Sequence, residues 1–420
     1  MGTMATPTAQ RSPERRLLHL LGPAFVAAIA YVDPGNVAAN LSAGAKYGYA
    51  LLWVLVAANA MAVIVQYLSA KLGLVTGKSL PQLLGERLRP GGRRLYWAQA
   101  EIVAAATDLA EVIGGAIALY ILFGVPLVAG GVIVGVASLL ILLLQGKYQR
   151  RFEAVIMAML LIITVGFVGG LFVSELDLGA MFAGLVPRFV DTQSVLLAAS
   201  MLGATVMPHA IYLHSSLARD RHGHTAEDHV GGRAPRLRHL LRATKLDVVL
   251  ALVVAGGVNI AMLLLAAASL PGIDGTDTIE GAAAAITEHV GPVVGLLFAV
   301  GLLVSGLAST SVGAYAGAEI MAGLLHVRVP LLTRRVVTIL PALLLLGFNV
   351  DPTWALVISQ VVLSFGIPFA LIPLISLTGR AEIMGEFTNG AALRYVALFV
   401  ALAIVALNLW LIFSTIVWGA

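Results

Sequence analysis

The chain has 420 residues, of which 59% are hydrophobic and only 11% charged, with a formal net charge of +4 and no cysteine. A water-soluble domain usually carries about a quarter charged residues, and interior grows too slowly with chain length to hide this much apolar surface, so lipid must be the solvent for most of the chain. The lack of cysteine excludes disulfides, thiolate metal sites and thiol catalysis.

The N-terminal residues to Arg16, with Arg11 and Arg15, are polar and lead into an apolar run. That run continues into Asp33-Pro34-Gly35-Asn36 rather than a small-residue cleavage site, so it reads as a retained first helix. A spanning helix needs about 20 apolar residues. Such stretches fall at roughly 20–44, 49–72, 96–123, 127–145, 153–173, 193–217, 246–270, 292–325, 333–348, 352–377 and 392–415. The expectation is therefore an all-α polytopic membrane protein with eleven transmembrane helices, a cytoplasmic tail at 1–19 and one transporter domain at 20–415. The eighth stretch is too long for one upright crossing. With the N-terminus inside and the C-terminus outside, 24 of the 26 Lys and Arg residues fall in cytoplasmic segments, and only Lys46 and Arg188 fall outside.

Two smaller features carry less. His222, His224 and His229 lie in an Arg- and Gly-rich stretch, 219–245, that reads as a loop; nothing in the sequence fixes their geometry as ligands. The stretch Gly73 to Ser79 hints at a phosphate loop, but three residues rather than four separate Gly73 from Gly77 and no strand precedes it.

The first and sixth stretches are interrupted near their middles, by Tyr31-Val32-Asp33-Pro34-Gly35-Asn36 and by Ala204-Thr205-Val206-Met207-Pro208-His209. Proline removes a backbone donor and clashes with the preceding turn. Broken helix and ionisable groups at membrane depth are costly unless they line a cavity or a pathway. Matching breaks five spans apart predict a five-plus-five inverted repeat, about 20–173 and about 193–377, with discontinuous helices 1 and 6, an extra helix at about 392–415 and the substrate at the breaks. The alternative is two unrelated proline kinks.

Asp33 offers a hard anionic oxygen, Asn36 a neutral one, a freed carbonyl such as that of Ala204 another, and Met207 a thioether. A thioether suits transition ions and does nothing for Mg²⁺ or Ca²⁺. An Asp at a helix break could equally take Na⁺ or a substrate amine, and Met207 could be packing. A sodium-coupled amino-acid or amine carrier on the same plan is thus the alternative function. An intramembrane enzyme is not expected, since Gly-x-Ser-x-Gly, His-Glu-x-x-His and cysteine are all lacking.

The third stretch holds Glu101, Asp108 and Glu111, at about 0°, −20° and −80° around a helix and so on one face. Acids in an apolar face need cations or protons; Arg334 and Arg335, which open the ninth stretch, are candidate partners. A histidine ordinarily titrates near neutrality, so His209 is a natural first proton carrier. The alternative is a static salt-bridge network. His214, further along, is a gate or relay candidate, or a packing histidine.

These motifs resemble the Nramp family of proton-coupled divalent metal transporters, bacterial type, over nearly the whole chain from about Leu20. The resemblance rests on Asp33-Pro-Gly-Asn36, Met207-Pro-His209 with Ile-Tyr-Leu-His214-Ser behind it, Thr107-Asp-Leu-Ala-Glu111, Gly306-Leu-Ala-Ser-Thr-Ser-Val-Gly313-Ala-Tyr-Ala-Gly317, and Ser359-Gln-Val-Val-Leu-Ser364 followed by Pro368-Phe-Ala-Leu-Ile-Pro373. The stretch after Ser364 departs from the family by reading Phe-Gly-Ile, and position 210 is Ala where many members have Asn. The resemblance implies alternating access, a multi-pass protein of the plasma membrane, and import of Mn²⁺ or Fe²⁺, with Cd²⁺ and Co²⁺ carried too, in symport with protons. It implies metal ligation by Asp33, Asn36, the Ala204 carbonyl, Met207 and, in some conformations, Gln360. It also places Arg334 and Arg335 beside the proton route. Beyond metal ions, protons and lipid, no cofactor, nucleic acid or obligate protein partner is expected.

Overall fold

A computed structural model describes residues 22–143, 149–222, 233–327 and 329–418. The tail 1–19 and the histidines at 224 and 229 lie outside them. Every regular element among the described residues is a helix.

The first predicted span is in two pieces. Helix α1 (Pro23–Ala28) runs into a 3₁₀ turn (Ile29–Val32), and α2 (Pro34–Tyr47) begins after Asp33, whose backbone is extended at φ −74°, ψ 167°. A second 3₁₀ turn (Gly48–Leu51) leads into α3 (Leu52–Thr76) and the short α4 (Leu80–Arg87). Then come α5 (Pro90–Phe123), α6 (Leu127–Leu142), α7 (Gln149–Val168) and α8 (Leu178–Ala183). The sixth predicted span is again split, into α9 (Thr192–Thr205) and α10 (Pro208–His222). The rest is α11 (Arg233–Ser269), α12 (Ile279–His289), α13 (Pro292–Leu325), α14 (Leu331–Gly347), α15 (Pro352–Thr378), α16 (Ala381–Met384) and α17 (Ala391–Trp418). A helix stands at each predicted span. Among the described residues, eight apolar helical stretches, including 34–76, 90–123 and 292–325, are long enough to cross a membrane, and Pro23–Val32 and Leu127–Leu142 are apolar but shorter.

The reading of 219–245 as a loop is corrected. Helix α10 continues to His222 and α11 starts at Arg233, about a dozen residues before the predicted span. Leu237, Leu240 and Leu241 are buried while Arg238, His239 and Arg242 are exposed, an i, i+3, i+4 stripe that extends the helix past its apolar part. The Gly73–Ser79 stretch is a helix junction: Gly77 takes φ +67° to end α3, and Ser79 opens α4 through a capping box with Gln82.

The core of the bundle packs α5 on α13, α2 on α11, α3 on α10 and α9 on α15. Small residues let backbones meet, as membrane helix packing requires. A Cβ on Gly203 of α9 would stand 2.0 Å from the Gln360 carbonyl, and one on Gly73 of α3 would stand 2.1 Å from the Ser215 carbonyl. Gly366, part of the departure from the family pattern, sits where a Cβ would meet Val103 at 2.5 Å and Pro208 at 3.1 Å.

A proline inside a helix strips the carbonyl four residues earlier of its donor, and lipid supplies no substitute. At two such prolines, side chains of other helices fill that role. Pro368 frees the Ser364 carbonyl, which accepts from Asn408 Nδ2 at 3.0 Å, while the Ser364 hydroxyl donates to Asn408 Oδ1 at 2.8 Å. Pro373 frees the Phe369 carbonyl, which accepts from the hydroxyls of Tyr96 and Tyr212.

Candidate functional site

The two breaks meet. Asp33 is the N-cap of α2, and its Oδ1 accepts from the Asn36 backbone N–H at 2.7 Å and from Asn36 Nδ2 at 2.8 Å. In the other break, Pro208 has no N–H to give the Ala204 carbonyl. That carbonyl instead accepts from Asn36 Nδ2 at 3.0 Å. Gln360 of α15 reaches in from a third side, and its Nε2 donates to Asp33 Oδ2 at 3.4 Å. Gly35 makes room for it, since a Cβ there would stand 1.7 Å from Gln360 Nε2. The carbonyls at the end of the 3₁₀ turn are held elsewhere: Tyr31 O accepts from Asn259 Nδ2 at 2.6 Å, and Val32 O from the Ser305 hydroxyl.

Asp33, Asn36, Met207 and Gln360 are all fully buried. Met207 sits between the two half-helices, and its carbonyl receives the first hydrogen bond of α10, from Ile211 N–H at 3.2 Å. Among the described residues, Asn36 Oδ1 and Gln360 Oε1 have no hydrogen-bond partner. Two buried acceptors are thus left open beside a carboxylate and a freed carbonyl, and buried acceptors ordinarily find a donor or a cation. The Asn36 amide N–H₂ bridges Asp33 Oδ1 and Ala204 O, the place a positive charge would take. Turning that amide over would exchange the donor for Oδ1 and bring three oxygens together, those of Asp33, Asn36 and Ala204. The C-terminal end of α9 also carries the negative pole of a half-helix, which favours a cation. Asp33 is the carboxylate of this set, and among the described residues no three His, Cys, Asp or Glu side chains gather to hold a metal.

From here polar groups follow α5. His209 Nδ1 lies 3.3 Å from the Thr107 hydroxyl, which itself donates to the Val103 carbonyl at 3.0 Å. His209 Nε2 is buried and without a partner among the described residues. His214 is set the same way: Nδ1 donates to Gln66 Oε1 at 2.7 Å, Nε2 is open, and Gln66 in turn donates to the Tyr31 hydroxyl. His214 is thus tied through Gln66 to the turn just before Asp33.

The three acids of α5 have three surroundings. Glu101 is held on two sides by Arg334, at 3.0 and 3.2 Å, with the Glu101 side chain 24% exposed. Asp108 pairs with Arg335 at 3.2 Å, deep in the bundle, and Arg335 also donates to the Ser138 hydroxyl at 3.0 Å. Glu111 is fully buried and in no ion pair; neither carboxylate oxygen has a hydrogen-bond partner among the described residues. It faces α13, where a Cβ on Gly313 would stand 2.9 Å from Oε2. Gly317, one turn on, lies against the Arg334 guanidinium. Arg334 also lines a polar cavity of about 450 Å³ between α4, α10, α13 and α14, with Arg219, Glu319 and His326 in its walls.

The structure therefore joins Asp33, Asn36, Ala204 and Gln360 by hydrogen bonds, with Met207 in the same break. It pairs Glu101 with Arg334 and Asp108 with Arg335, and among the described residues Glu111 forms an ion pair with neither arginine. Sequence reasoning assigned no role to Thr107, Gln66, Tyr31, Ser138 or Asn259. The available signal was a polar side chain in an apolar helix, which must find a partner.

Comparison with known proteins agrees with this architecture. The model of the family described as "Natural resistance-associated macrophage protein-like" (Nramp) matches residues 24–414. The chain is 58% identical to the divalent metal cation transporter MntH of Mycobacterium tuberculosis, over 99% of this chain and 96% of that protein. It is 46% identical to MntH of Bacillus subtilis, over 96% and 93%. Its fold is similar to that of the Eremococcus coleocola manganese transporter, with a TM-score of 0.84 at 29% identity, covering 97% of this chain and 88% of the other. By these matches the chain belongs to the Nramp family.

Proposed function

We propose that this protein imports divalent transition-metal ions, Mn²⁺ and Fe²⁺ with Co²⁺ and Cd²⁺ as further cargo, across the plasma membrane in symport with protons. The observation that carries the reading is the meeting of the two helix breaks around Asp33, with the Ala204 carbonyl freed by Pro208 and open acceptors on Asn36 and Gln360. One carboxylate with neutral oxygens binds an ion loosely enough to release it, and the Met207 thioether biases the choice toward softer ions. The relatives named divalent metal cation transporter and manganese transporter support the same cargo.

In this reading the chain crosses the bilayer eleven times, N-terminus inside, as two inverted five-helix repeats and an added α17. Alternating access opens the breaks to one side at a time. Asp33 or His209 Nε2 takes the proton at the site. The proton then passes along Glu111 and Asp108, and past Arg335, Glu101 and Arg334, to the polar cavity and the cytoplasm.

The test is Mn²⁺ uptake into proteoliposomes at varied external pH, beside Met207→Ala and a Ca²⁺ control. Saturable Mn²⁺ uptake that Ca²⁺ cannot match, with Ca²⁺ gaining ground when the thioether is lost, is the expected result. No Mn²⁺ uptake under any gradient, from folded protein, overturns the metal reading in favour of an organic-substrate carrier.

A further inference from the structure

On the outer surface of the bundle, α3, α9 and α17 leave a groove of about 480 Å³ between them. Trp53, Phe189, Leu202, Ala403, Leu407 and Trp410 line it, and its walls are almost wholly apolar. A cavity that offers no polar partners does not hold water. In a bilayer the apolar material at hand is a lipid tail, and neighbouring faces of α17 already point outward, with Leu402 59% and Leu409 61% exposed.

One end of the groove is marked by charge. The Trp53 indole donates to the Arg188 carbonyl at 3.3 Å, and Phe189 packs edge-on against Trp53 with ring centroids 5.5 Å apart. The Arg188 backbone is therefore at the rim. The residue is exposed, and its guanidinium is in no ion pair among the described residues. Tryptophan beside an apolar slot, next to an unpaired cation, is the arrangement of a headgroup level meeting the tail region. A lipid with an anionic head suits both best, because a zwitterionic head brings its own cation beside Arg188 and weakens the attraction.

We propose that this groove is a binding site for one anionic phospholipid, with an acyl chain between α3, α9 and α17 and the phosphate on Arg188. The site assigns α17 a wall of its own. It also touches the helix that carries a cargo ligand: Leu202, in the groove, is two residues from the Ala204 carbonyl on α9.

The test is native mass spectrometry of the full chain released from bilayers of mixed phosphatidylglycerol and phosphatidylcholine, for the unaltered chain, Arg188→Gln and Ala403→Phe. One retained phosphatidylglycerol per chain is expected, preferred about tenfold, the worth of a charge-assisted contact. Arg188→Gln should abolish the preference and keep the lipid; Ala403→Phe should fill the slot and lose both. A second reading on the unaltered chain guards against misfolding of the Phe variant. Quenching of its tryptophan fluorescence by tail-brominated phosphatidylglycerol should saturate at a low lipid fraction, and brominated phosphatidylcholine should not reproduce it. Equal retention of both lipids in all three proteins with quenching that merely follows bulk composition overturns the proposal. So does a second copy of the chain sealing the groove as a dimer.

Discussion

The Ala204 carbonyl is open because position 208 is proline, and the side chain that takes it up is Asn36 of the other broken helix, at 3.0 Å. An alanine at 208 would return the missing N–H and let α9 run on into α10. The carbonyl would then be spent inside the helix. Pro208→Ala should weaken Mn²⁺ binding about tenfold or more, equivalent to about 1.4 kcal/mol, while the protein melts no lower than the unaltered chain. Calorimetric titration beside a thermal melt checks this; unchanged affinity would remove the Ala204 carbonyl from the site.

Gly35 and Gln360 make a second such pair. With 1.7 Å between a hypothetical Cβ and Gln360 Nε2, Gly35→Ala must push Gln360 away from Asp33. Its effect on Mn²⁺ uptake should equal that of Gln360→Ala, and the double variant should be no worse than either single one. Additive losses would mean that Gly35 and Gln360 act independently.

Among the described residues Glu111 stands in no ion pair, so its replacement by Gln removes the proposed proton carrier without breaking one. Glu111→Gln should flatten the dependence of metal uptake on external pH, most visibly the gain on acidification, and leave the melting temperature nearly unchanged. Uptake that keeps its full pH dependence would reduce the α5 acids to a scaffold. Asp108→Asn is the contrast. It leaves Arg335 buried and uncompensated, a change that costs about 3–5 kcal/mol, and should lower stability in the same assay.

Asn408 gives a prediction free of transport. Asn408→Leu leaves both the carbonyl and the hydroxyl of Ser364 unpartnered in an apolar setting, at about 1–3 kcal/mol for each buried group. Ser364→Ala keeps Asn408 on the carbonyl and should cost less. Melting curves in lipid nanodiscs separate them; equal melting temperatures would show that lipid or a neighbouring side chain supplies the missing bonds.

The breaks at Asp33 and Met207 were legible because Pro and Gly act within four residues, and spacing along one chain is what a sequence displays directly. The acids of α5 were legible as a face, since helical periodicity is local as well. Which arginine meets which acid was not. Arg334 and Arg335 are adjacent in sequence, and only the setting of α14 against α5 sends one to Glu101 and the other to Asp108. The pairing of His209 with Thr107 and of His214 with Gln66 was hidden for the same reason. Each joins residues about a hundred or more positions apart. One missed relationship was within reach: the proline rule that points to Ala204 points equally to Ser364 and Phe369, and would have marked Asn408, Tyr96 and Tyr212 as candidate partners. The helical continuation of α11 back to Arg233 was misread because charge was given more weight than the Leu237, Leu240, Leu241 stripe.

The arginines of α14 answer two of the α5 acids, and no ion pair of Asp33 or Glu111 forms among the described residues. In the proposed symport, these two buried carboxylates await positive charge from the cargo and its protons. Every turnover then displaces charge through the membrane's electric field, at about 2.3 kcal/mol per elementary charge for each 100 mV. A cell with a negative interior would drive this transporter by voltage as well as by acidity, and its activity would register as an inward electrical current.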